Sequence, residues 1–235
     1  MTPFIAEFIG TTILILLGDG VVANVLLHRT KGAASGWIVI TLGWGLAVFV
    51  GVFCVSRFSG AHLNPAVTIA LASAGKFPWG SVPAFVLAQL LGGMAGALLV
   101  YLFYRPHFNL TDDPDLKLAV FCTSPNVRDF FTAFFCETLG TFLLVFAIFQ
   151  MPDPGLGLGA LGALPVGLVV LAIGLSLGGT TGYAINPARD LGPRLIHALL
   201  PIPGKRDSDW GYAWIPVLAP VAGGLLASAA CKAFI

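Results

Sequence analysis

The residues of this chain that could do chemistry come in pairs. Asn64-Pro65-Ala66 lies within Gly60-Ala61-His62-Leu63-Asn64-Pro65-Ala66-Val67-Thr68, and Asn186-Pro187-Ala188 lies within Gly182-Tyr183-Ala184-Ile185-Asn186-Pro187-Ala188-Arg189-Asp190. The chemistry these types offer is hydrogen bonding to an uncharged molecule: an asparagine amide carries two donors and one acceptor oxygen. Each triplet also reads as a helix start, with Asn at the N-cap and Pro at the first helical position, where its missing N–H is not needed. A helix that begins there points unpaired N–H groups and a partial positive charge at whatever lies in front of it. Two such ends facing each other inside a membrane would accept a neutral solute and repel cations. Plain helix capping is the alternative for either copy alone. Two copies arise by chance in only about one chain in a thousand of this size, which speaks against capping as the whole account.

The elements that must position these residues cross a bilayer. Of 235 residues, 57% are hydrophobic and only 10% charged, and the mean hydropathy is +0.91. Soluble domains carry about 25% charged residues, so an integral membrane protein of the helical kind is expected. The apolar windows are near the roughly 20 residues a membrane helix needs, not the ten-residue alternation of a barrel strand. Six spans are predicted at about 4–27, 36–56, 81–104, 130–150, 158–178 and 211–231. Two apolar segments, about 65–74 and 187–200, are too short to cross and are expected to be re-entrant half-helices. The net charge of +1 gives no reason to expect nucleic acid as a partner. Cys54, Cys136 and Cys231 fall in apolar windows and Cys122 in a loop, without metal or disulfide spacing, so they read as inert small hydrophobes. The first stretch lacks a basic n-region and holds Glu7, which argues for a span rather than a cleavable signal.

The two halves repeat. Ala6-Glu7-Phe8-Ile9-Gly10-Thr11 matches Cys136-Glu137-Thr138-Leu139-Gly140-Thr141, and Gly92-Gly93 matches Gly223-Gly224. Each half is span, span, half-helix, span. Three crossings is an odd number, so the second half runs through the membrane inverted, and one half-helix enters from each side. If each reaches halfway, their N-termini meet at the midplane, as in other inverted repeats that bind solute on broken helices. Irregular backbone is tolerated at that depth only where it is buried or lines water, so residues 59–63 and 178–185 should present carbonyls to a pore. The chain is therefore expected to be one membrane channel domain, 1–235, with repeats at about 1–104 and 130–235. The joining loop 105–129 is polar and needs no fold of its own. Gly92 with Gly96 and Gly223 with Ala227 have the small-xxx-small spacing that lets helices pack closely.

With these motifs in view, the sequence resembles the aquaporin (major intrinsic protein) family over nearly its whole length. It looks most like the glycerol-facilitator branch, the aquaglyceroporins, through Asp190 after the second motif and Gly174 twelve residues before Asn186. The resemblance implies an all-α fold of six transmembrane helices plus two re-entrant half-helices. It also implies a homotetramer with one pore per subunit, multi-pass in the plasma membrane with both termini cytoplasmic. Water and small uncharged solutes, glycerol first and urea among them, would pass, without a cofactor or metal. By the same resemblance Trp44, Gly174, Tyr183 and Arg189 would form the narrow filter. Trp44 and Tyr183 would face the CH edge of a polyol, Arg189 would donate to its hydroxyls, and Gly174 would leave room. This branch often has Phe where Tyr183 stands, so a hydroxyl aimed into the lumen would narrow the pore and weaken glycerol preference. Trp44 and Tyr183 could instead be packing or lipid-facing residues.

Arg189 at membrane depth is costly unless it faces water or a partner. It either donates to passing solutes or forms a structural ion pair, for which Asp190 is the obvious neighbour. Glu7 and Glu137, as buried acids in equivalent places, are expected to accept hydrogen bonds from the re-entrant loops. His62 is expected either to line the pore beside the first motif or to pack. Asp19, toward the end of the first span, reads as a solvated carboxylate. The main rival to a passive channel is a coupled secondary transporter that uses Glu7 or Glu137. An intramembrane enzyme ranks last, because the spans show no nucleophile–base pair or ligand set. Loop charges oppose the expected orientation. Lys76, Lys232 and Arg57 would lie inside, whereas Arg29, Lys31, Arg105, Lys117, Arg128, Lys205 and Arg206 would lie outside.

Overall fold

The computed structural model describes residues 1–151 and 159–234, and among them every regular element is helical. In the first half α1 spans Pro3–Leu26, α2 Trp37–Ser59, α3 Pro65–Ser73 and α4 Val82–Leu110. A short helix, α5, follows at Pro114–Phe121. In the second half α6 spans Phe130–Gln150, α7 Leu164–Leu177, α8 Pro187–Leu199 and α9 Ile215–Phe234. Five of these are long and apolar enough to cross a membrane. The predicted fifth span is shorter than expected: α7 has 14 residues. A 3-10 turn at Gly159–Ala163 precedes it, and Pro165 sits in its first turn, where a missing N–H is tolerated. The start of that predicted span, residue 158, lies outside the described residues.

The helices approach most closely where one of them carries a glycine. α1 packs on α4 and α6 on α9. A side chain begun at Gly92 would lie 2.5 Å from the Phe8 carbonyl, and one begun at Gly223 would lie 2.2 Å from the Thr138 carbonyl. α2 crosses α7 at Gly45 and Gly167, each facing the other's carbonyl oxygen. The second glycine of each pair does something different. A side chain begun at Gly93 would lie 2.7 Å from the carbonyl oxygen of Ala188, and one begun at Gly224 would lie 2.9 Å from that of Ala66. Each half thus supports the other half's re-entrant helix through the alanine of its Asn-Pro-Ala.

The connecting segment is more structured than its polarity suggests. α4 continues to Leu110, and α5 is capped by Asp113, whose carboxylate accepts from the N–H groups of Asp115 and Leu116. Leu118, Val120 and Phe121 are buried, with Phe121 stacked on Phe108. The overlooked signal is Asp113-Pro114 followed by Leu116, Leu118, Val120 and Phe121: a capped helix start with core residues behind it.

Candidate functional site

Each half-helix is entered by a strained loop held by one buried glutamate. In the first loop Gly60, Ala61 and Leu63 have positive φ, and in the second Gly182, Tyr183 and Ile185 do. Non-glycine residues adopt this region at a cost, so the surroundings must enforce it. Glu7 does so in the first half. Its Oε1 accepts from the Ser59 hydroxyl at 2.6 Å and the His62 N–H at 2.9 Å. Its Oε2 accepts from the Leu63 N–H and the Gln89 amide, both at 2.7 Å. Glu137 matches it: Oε1 accepts from the Thr181 hydroxyl at 2.7 Å and Ala184 N–H at 2.9 Å, and Oε2 from Ile185 N–H at 2.8 Å. With the N–H groups drawn to the glutamate, no hydrogen bond from a described residue reaches the carbonyls of Gly60, Ala61 and His62, or of Gly182, Tyr183 and Ala184. All six residues except Gly182 line one cavity of about 230 Å³.

The two asparagines meet at that cavity. The Asn64 Oδ1 accepts from Ala66 N–H at 2.8 Å, and its amide donates to the Ile185 carbonyl at 2.8 Å. The Asn186 Oδ1 accepts from the N–H groups of Ala188 and Arg189, and its amide donates to the Leu63 carbonyl at 2.8 Å. The caps are therefore reciprocal: each helix end is tied to the loop that enters the other. Each asparagine amide has two N–H donors. One N–H is committed to the opposite loop, which leaves one per asparagine. The helix N-termini of α3 and α8 thus converge with two amide donors and a row of unbonded carbonyls on one wall. Val48, Val52, Val67 and Val170 supply aliphatic lining.

Of the four residues expected at a narrow filter, three lie on the cavity wall: Trp44, Tyr183 and Arg189. The Arg189 guanidinium carbon stands 4.0 Å above the Trp44 ring centroid, a cation–π contact that holds both planes. Gly174 lies behind Tyr183 instead. A side chain begun at Gly174 would meet the Tyr183 ring carbon bearing the hydroxyl at 2.8 Å and the hydroxyl itself at 2.9 Å. The space left by Gly174 is taken by the phenol tip, so the extra oxygen is accommodated against α7 rather than projecting across the lumen. The Gly174 carbonyl accepts from the indole N–H of Trp37, whose ring meets Tyr183 edge-on.

Two expectations about charge are corrected. Asp190 is not the partner of Arg189. It pairs with Arg194, whose Nε lies 2.7 Å from Asp190 Oδ1 and whose second amino group lies 3.0 Å from Oδ2. Arg194 is fully buried and also donates to the carbonyls of Ser208, Asp209 and Thr123. It was missed by sequence reasoning, although the Asp190–Arg194 spacing of four on a helix was legible. Nor is Asp19 solvated. It is completely buried, and Arg189 lies 3.7 Å from its Oδ1. It lies seven residues, about two turns, before the end of the 24-residue α1, among that helix's buried positions.

His62 fits both of its readings. It lines the cavity, and its ring packs against Phe77 and Phe85, which also touch each other. The Thr68 hydroxyl donates to the Asn64 carbonyl, so toward His62 Nδ1, at 3.1 Å, it accepts. That places the ring proton on Nδ1 and leaves Nε2 as an acceptor.

Residues 1–230 match the model of the Major intrinsic protein family. The chain belongs to that family, and it is a multi-pass integral membrane protein of aquaporin-like fold. Among its relatives, a probable glycerol uptake facilitator protein of Thermotoga maritima is 58% identical, with 96% of each chain covered. The glycerol uptake facilitator protein of Bacillus subtilis is 53% identical over 95% of this chain and 81% of its own. The X-ray structure of the aquaglyceroporin from Plasmodium falciparum superposes with a TM-score of 0.85 at 37% identity, covering 96% of this chain and 93% of that one.

Proposed function

We propose that this protein is a passive channel for glycerol and water that excludes protons and ions, and that the pore runs past Asn64 and Asn186. The observation that carries this reading is the pair of capped helix ends at one cavity wall, each offering one free amide N–H to a solute oxygen. A water or hydroxyl held there accepts from both amides and donates outward, which interrupts a proton wire, while the two positive helix ends repel cations. On this reading Trp44 and Tyr183 face the CH edge of a polyol, Arg189 and the loop carbonyls bind its hydroxyls, and His62 borders the lumen. Gly174 acts indirectly, by seating Tyr183. Pro65 and Pro187 fix the first helical turn, and Ala66 and Ala188 are small enough to lie against the opposing glycines. The names of the relatives support glycerol as the solute. The reading extends to a single channel domain with repeats near 1–104 and 130–235, a homotetramer in the plasma membrane with both termini cytoplasmic, and urea as a further solute.

A proton- or sodium-coupled transporter would need a titrating group on the path. Glu7 and Glu137 are each committed to at least three donors that hold backbone in place. Stopped-flow light scattering on proteoliposomes tests the proposal. Water and glycerol flux should be fast, weakly saturable and indifferent to an imposed pH or sodium gradient. Flux that follows either gradient would overturn the channel reading, and flux of water without glycerol would overturn the solute.

A further inference from the structure

Asp19 takes no part in the roles assigned so far, yet it is the acid buried most awkwardly. It is 0% exposed, and neither carboxylate oxygen accepts a hydrogen bond from a described residue. A carboxylate inside a membrane is costly unless paired. The partner the fold supplies is Arg189, 3.7 Å from Oδ1, close enough for strong attraction but short of a hydrogen bond. Arg189 is thereby held between two groups: the Trp44 face at 4.0 Å and the Asp19 carboxylate. The residue before Asp19 acts on the other one. A side chain begun at Gly18 would lie 2.3–2.5 Å from three atoms of the Trp44 ring. So consecutive residues of α1 support both neighbours in the wall, Gly18 by leaving the indole its seat and Asp19 by opposing the guanidinium charge. Asp19 and Gly18 do not themselves line the cavity, whereas Trp44 and Arg189 do.

We propose that Asp19 is a positioning residue for selectivity: it fixes the Arg189 guanidinium against the cavity wall and thereby sets how well glycerol passes relative to water. This rests on the reading of the cavity as a glycerol pathway. Glycerol has three hydroxyls to satisfy at once and needs its donor in a fixed place, whereas a single water adjusts to a displaced donor. Releasing the guanidinium therefore harms glycerol more than water.

The test is a double-mutant cycle read as the glycerol-to-water permeability ratio in proteoliposomes, using Asp19→Asn, Arg189→Ala and the double variant. Asp19→Asn is nearly isosteric and should lower the ratio by about fivefold, within the range by which contacting residues couple. In the Arg189→Ala background the same change should have no effect on the ratio, because the group through which Asp19 acts is gone. Equal losses of water and glycerol in Asp19→Asn, or an undiminished effect in the Arg189→Ala background, would overturn the proposal, since a merely structural acid behaves in those ways. Should Asp19→Asn fail to insert, Asp19→Glu keeps the charge and should hold the ratio closer to wild type than Asp19→Ala does; equal ratios in those two would also overturn it. Wild-type protein that passes no glycerol would instead sink the channel reading itself, which is a separate outcome.

Discussion

A buried hydroxyl with no partner is an opportunity at the residue scale. The Tyr183 hydroxyl bonds to no described residue and sits against Gly174. Tyr183→Phe should therefore keep glycerol flux within about twofold of wild type and leave stability unchanged or raise it by about 1 kcal/mol. Thermal unfolding in detergent together with the light-scattering assay checks both. Glu137 stands at the other extreme. A glutamine there keeps one acceptor oxygen but turns an amide N–H toward groups that are themselves donors. Glu137→Gln should cost about 1–3 kcal/mol and reduce water and glycerol flux together, without altering any response to pH gradients. A variant that folds as well as wild type but changes the gradient response would favour the transporter reading. Arg189→Ala, which removes the charge at the wall, should change the glycerol-to-water ratio by about fivefold or more. An unchanged ratio would remove Arg189 from the filter.

At the scale of elements, stability depends on how closely the helices approach. The Thr138 carbonyl oxygen, 2.2 Å from where a side chain at Gly223 would begin, is backbone and cannot swing aside. Gly223→Ala should force α9 off α6, cost about 1–3 kcal/mol and lower the yield of folded protein in the membrane. Thermal unfolding and size-exclusion profiles report it, and an unperturbed variant would refute the close packing. Gly20, which faces open space, is the matched control. The boundaries of α6 and of both half-helices agree with the sequence reading to within a residue, because capping residues and proline mark their starts. The signal for α5 was easy to overlook for a physical reason. Its charged cap and Lys117 disguise a buried face, and Lys117 is itself buried because its ammonium group finds the Pro203 carbonyl in a distant loop. The reciprocal asparagine bonds and the Asp19–Arg189 pair were equally hidden, since both join residues more than a hundred positions apart.

At the scale of the whole molecule, the loop charges become intelligible. The count that opposes the family orientation treats every lysine and arginine as a free cation. Arg128 pairs with Asp209, and Arg206 with Asp115 and Asp207. Lys205 donates to the carbonyls of His197, Ala198 and Leu200 at the end of α8, and burial holds its ammonium pKa below the usual lysine value. These groups are committed to tying loops together and are poor reporters of membrane sidedness. A reporter fused at either terminus should therefore be found in the cytoplasm, and one at residues 205–207 outside. The reverse pattern would vindicate the charge rule.

The crossed asparagine bonds carry one more consequence. Because every amide at the centre gives one hydrogen to the seam between the halves, what a passing molecule is offered there is rationed by the architecture. On the proposed pathway, retuning the midpoint would break these cross-bonds between the halves, so discrimination among permeants is expected to fall to the wall elsewhere along the route.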